Sequence, residues 1–82
     1  MKQQIKLFAD FNNADTRGRI RLNTYGTFKD IEAGSIKLIP GLEVLLDDND
    51  EIQAIGIVEF SELENIWVAK IVWDNLESTS SQ

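Results

Sequence analysis

Arg17, Arg19 and Arg21 recur at every second position. On a strand this period puts three guanidinium groups on one face, roughly 7 Å apart. That matches about two phosphate steps of roughly 3.4 Å along one strand of nucleic acid. Arginine also bonds carboxylates in a bidentate fork, so an acidic protein surface suits the row equally well. Acids of the same chain, Asp10 or Asp15, are the plainest partners. A net charge of −6 counts against nucleic acid, because the basic row would act inside a repelling field.

Asp47, Asp48, Asp50 and Glu51 crowd a single turn around Asn49. Clustered carboxylates suit a hard cation. The calcium-loop pattern fails here, since Ile52 takes the third ligand position from Asp48 and the sharp-turn glycine is absent. The stretch at 13–18 fails too, with Arg17 at a ligand position and Thr24 where an acid belongs. Both read as turns, and no metal or cofactor is expected. With Glu59, Glu62 and Glu64, and with Asp74 and Glu77 beyond them, the turn acids could instead form a continuous negative surface. Carboxylates arrayed where phosphates would lie describe an inhibitor of a nucleic-acid-binding protein.

Trp67 and Trp73 fall on one face of a predicted strand. The stretches 52–60 and 66–73 are apolar on both parities, although a half-buried strand needs only one apolar face. Phe28, Ile31, Leu63 and Leu76 are available to cover the second face. Left uncovered, it would mark a partner surface or a homodimer contact, with an exposed tryptophan as anchor.

Catalysis has the weakest footing. The chain lacks histidine and cysteine, which removes the usual general base, the thiol nucleophile and sulfur-bound zinc. Paired carboxylates could hydrolyse glycosides, but that needs a deep cleft that 82 residues rarely form. Gly18, Gly26 and Gly34 are isolated and make no phosphate loop. The expectation is no enzyme and no catalytic residue.

These residues need elements to hold them. Ile5, Leu7, Ala9 and Phe11 alternate with polar neighbours, the period of a half-buried strand. A turn over 12–15 leads to a second strand at 17–23, so the two should form an antiparallel hairpin. Thr27 can cap a short helix ending at Gly34 in a left-handed conformation. Three further strands follow: one through Leu42, Val44 and Leu46, one over 52–60 and one over 66–73. Gly56 inside the fourth suggests a bulge, a bend or close backbone approach.

Pro40-Gly41 before a strand, an acidic turn, Gly56 in the next strand and an aromatic-rich last strand together resemble an SH3-like barrel core over 42–73. The resemblance implies a binding module and names no ligand. The fold expected is therefore all-β, a small five-stranded SH3-like or related barrel with one helical turn near 27–34. Residues 1–76 form a single domain and 77–82 a disordered tail.

Charge divides the chain. Residues 1–37 carry seven basic and four acidic groups, net +3; residues 38–82 carry Lys70 against ten acids, net −9. The halves can neutralise each other or present separate faces. No apolar run reaches the roughly 18 residues of a membrane span, so a cytoplasmic protein is expected. The function expected is non-catalytic protein binding, by a small adaptor or accessory subunit docking on a larger protein. An acidic mimic of nucleic acid is the alternative, and direct RNA or DNA binding through the arginine strand comes third.

Overall fold

A computed structural model describes residues 4–72 and the pair Glu77–Ser78. The strands are β1 (Lys6–Phe8), β2 (Ile20–Arg21), β3 (Glu43–Asp47), β4 (Ile52–Ser61), β5 (Ile66–Ile71) and β6 (Glu77–Ser78). One helix, α1 (Tyr25–Ala33), lies between β2 and β3. Five strands run in the order β1-β3-β4-β5-β2, and β6 pairs with β4. The pairing of β1 with β3 is parallel and the others are antiparallel. The sheet curls into a half-barrel, so the protein is all-β with one short helix.

Period-two alternation builds the inner face. Leu7, Val44, Leu46, Ala54, Val58 and Ala69 are fully buried there, joined by Ile20, Leu22 and Ile71. Gly56 sits where this face is closely packed. A Cβ at this position would lie 2.9 Å from Leu46 Cδ1 and 3.2 Å from Ala69 Cβ. The missing side chain lets Leu46 and Ala69 close over the strand, so of the readings open for a strand glycine it is close approach that is seen, with the pairing regular through Gly56.

The expected hairpin of the first two strands does not form. β1 and β2 stand at opposite ends of the strand order. Asp10 turns the chain early: its carbonyl accepts from Asn13 N and its side chain from Asn12 N. The hairpin turn falls later, at 16–18, where Gly18 has φ +80. Ala14 then bridges to Ile20, and Arg21 N donates to Asn13 O at 2.9 Å. The segment leaving one end of the sheet thus pairs with the strand at the other end.

The helix begins earlier than expected. Thr24 is its N-cap, with its hydroxyl accepting from Thr27 N. Thr27 is buried one turn inside. Gly34 has φ −93, so the left-handed residue is its neighbour Ser35, at φ 50. Ser35 N donates to Glu32 O and Ile36 N to Ile31 O, the paired bonds of a Schellman close.

The helix also shields the edge of the sheet. Phe8 faces outward from β1 with its main-chain groups; Asp30 Oδ2 accepts from Phe8 N at 2.8 Å and Thr27 Oγ1 donates to Phe8 O at 2.7 Å. Gly26 lies so near the Phe8 ring that a Cβ would meet it at 2.8 Å. An open strand edge is a template for unwanted pairing, and here side chains occupy it.

The last inner-sheet strand stops at Ile71, short of the expected residue 73. Trp73, Asp74 and Leu76 lie outside the described residues, as do residues 79–82 of the expected tail. Glu77–Ser78, where that tail was expected to begin, pair with Gln53 and Ile52. Among the described residues, no helix is long and apolar enough to cross a membrane.

Candidate functional site

Arg19 and Arg21 lie on the outer face of the sheet, but the strand expected over 17–23 is only Ile20–Arg21, and Arg17 sits in the 16–18 turn, so the three guanidinium groups do not form one strand row. Asp15 Oδ2 accepts from Arg19 Nε at 2.9 Å, and Glu59 Oε1 accepts from Arg19 Nη1 at 3.0 Å. Arg21 forms a fork with Glu64, at 2.7 Å from Nε and 2.8 Å from Nη2. Its Nη1 also donates to Ala14 O. Val68, level with Arg21 and Glu59 across the strands, is fully buried on this same face. Two of the three arginines are therefore tied into the fold, and exposed Arg17 is left outside these pairs.

Of the two acids expected beside the arginines, Asp15 bonds them, while the Asp10 side chain accepts from Asn12 N. Asp15 Oδ1 also accepts the main-chain N–H groups of Arg17 and Arg19. Burial alone would raise its carboxyl, but these bonds and the Arg19 charge outweigh it and hold it below the usual range. Arg21 holds Glu64 low in the same way.

The acidic turn is likewise used internally. Asp48 Oδ1 accepts from the main-chain N–H of Asp50, Glu51 and Ile52. Asp47 is buried and accepts from Asn49 N, Gln53 Nε2 and Lys6 Nζ. The Asn49 N–H, then Gln53, lower its carboxyl against burial, with Lys6 adding to the effect. Of the expected acidic surface, Asp50, Glu51 and Glu62 remain exposed, while Asp47, Asp48, Glu59 and Glu64 have partners in the fold. The ion pairs Lys6–Asp47, Arg19–Glu59 and Arg21–Glu64 all join the basic first half to the acidic second half.

A different feature is concave and apolar. The half-barrel leaves a groove of about 490 Å³ between α1 and the start of β5. Leu22, Phe28, Ile31, Leu38 and Trp67 form its apolar wall. Trp67 is half-buried, packed on the core and edge-on to Phe60 at 5.1 Å between ring centroids. Phe28 is 55% exposed and Tyr25, one turn earlier, 77%. The polar lining consists of Asn23, Asn65 and Lys37.

Trp67 is thus the one sequence-derived anchor placed at this groove. Of the residues available to cover the second face, Ile31 packs on the core, whereas Phe28 stays out at the rim. Leu38 and Lys37 were not singled out. Their signal was faint, an extended stretch of no clear period whose place depends on how the chain leaves α1. Leu63 is 85% exposed at the tip of the β4–β5 hairpin.

No family model matches the chain, and no curated protein or solved structure matches it.

Proposed function

We propose that this protein is a non-catalytic protein-binding module, a small adaptor or accessory subunit that docks on a larger protein. The observation carrying this reading is the apolar groove, in which a half-buried Trp67 and an exposed Phe28 face the same space. Aromatic side chains in a concave apolar site are the usual anchors of association. The resemblance of 42–73 to SH3-like barrels adds to it, since such barrels serve widely as binding modules.

The rival proposals have less support. Direct nucleic-acid binding needs the arginine row free, and Arg19 and Arg21 are engaged by Asp15, Glu59 and Glu64. Phosphate mimicry needs its carboxylates facing out, and Asp47 and Asp48 turn theirs onto the local backbone.

Affinity capture from the native host, comparing wild type with Phe28→Glu, tests the proposal. Wild type should enrich a protein that the variant loses, while both keep the same circular dichroism. If no protein enriches and the chain runs as a clean monomer, the binding-module reading fails.

A further inference from the structure

We infer that the groove takes an acidic amphipathic peptide segment of another protein, with bulky apolar side chains against Trp67 and Phe28 and a flanking carboxylate on Lys37. This rests on the protein-binding reading above and adds the chemistry of the partner.

The size argues for side chains rather than a whole surface. At about 490 Å³ the groove falls within the range of ligand pockets, roughly 300–1,000 Å³. The charge argues for acid. The chain carries 14 acidic residues, yet none among the described residues lines this groove. Its lining contains Lys37, exposed and outside every ion pair found among the described residues. Lys29 follows Phe28 on α1, its ammonium 5.7 Å from the Tyr25 ring centroid. By contrast Lys6, Arg19 and Arg21 are already matched to carboxylates.

A basic segment would set its cations against Lys37 with no carboxylate among the described lining residues to offset them. An acidic one supplies the missing counter-charge where the apolar contact already holds it. The net charge of −6 opposes an acidic segment as it does nucleic acid; screening over a Debye length of about 8 Å in physiological salt leaves the charges at the groove, Lys37 among them, to decide the contact. Exposed Asn23 and Asn65 add amide donors and acceptors for a peptide backbone.

The probe is a library of displayed random peptides panned against the full chain. The enriched sequences should pair Leu, Ile, Phe or Trp with neighbouring Asp or Glu. A synthetic copy should bind Lys37→Glu about three- to tenfold more weakly than wild type, as rim charge contacts do. Lys37→Arg should bind nearly as wild type, and Phe28→Glu should not bind. Enrichment of basic or uncharged peptides, or full affinity in Lys37→Glu, overturns the acidic partner and leaves the groove as a protein site. No enrichment, or unchanged binding to Phe28→Glu, overturns both. The hairpin tip Glu62-Leu63-Glu64 has the same pattern, so dimerisation of the pure chain that Leu63→Ser abolishes would make the occupant a second copy and overturn the inference.

Discussion

Asp15 shows how much one carboxylate can organise. It accepts two main-chain N–H groups and a guanidinium N–H, with its side chain only 4% exposed. Replacing it by Ala strands these donors and should cost about 1–3 kcal/mol in urea unfolding. Its pH dependence has a definite sign. The carboxyls of Asp15, Asp47 and Glu64 are all held low in the fold, so the unfolded chain takes up protons first. Their stabilisation is present above the unfolded carboxylate range, near pH 4, and is lost as pH falls through the folded values. Unfolding temperature should fall below about pH 4, and less steeply in Asp15→Asn; parallel curves for the two proteins would refute this. Gly56 gives a steric counterpart. Gly56→Val must push Leu46 and Ala69 aside and should destabilise by about 1–3 kcal/mol, read from the same urea curves. The period of the arginines and the oddity of Gly56 were visible in the sequence. The partners Glu59 and Glu64 were not, because they lie 40 and 43 residues from Arg19 and Arg21 and meet them only once β4 and the turn after it fold beside β2 and β5.

At the scale of elements, α1 is held by its ends. Ser35 takes the left-handed position where glycine is usual, a conformation that costs an ordinary residue roughly 1–2 kcal/mol. Ser35→Gly should therefore raise the midpoint of thermal unfolding, and an unchanged or lowered midpoint would contradict the assignment. The other consequence concerns the sheet edge. Thr27 and Asp30 occupy the outward main-chain groups of Phe8. Thr27→Val with Asp30→Ala should free that edge, and light scattering should report faster aggregation than in wild type. Alternation made the individual strands legible, and Phe28 with Ile31 marked the helix. Its start moved because Thr24 and Thr27 both suit a cap, and only packing under Phe8 decides which is buried. The first hairpin is not legible in the sequence, because turn-forming residues extend over 10–18 and spacing cannot say which of them reverses the chain.

For the whole molecule, the two halves of the charge division are also two halves of one core. β3, β4 and β5 come from the acidic half, while Leu7, Ala9, Ile20 and Leu22 come from the basic half. Neither 1–37 nor 38–82 should fold alone, and mixing them should restore a strand spectrum in circular dichroism; an independently folded fragment would contradict this. Strand order itself was beyond the sequence. A parallel pairing across some 39 residues, Lys6 with Leu45, leaves no local mark in either partner. That pairing has a mechanical side. A pull on the N-terminus draws β1 along β3 in shear, so the bonds that Leu45 N donates to Ile5 O and Ala9 N donates to Asp47 O are loaded together. The bonds from Thr27 and Asp30 to Phe8 are loaded with them, which turns a helix with no strand of its own into a clamp on the pulled end.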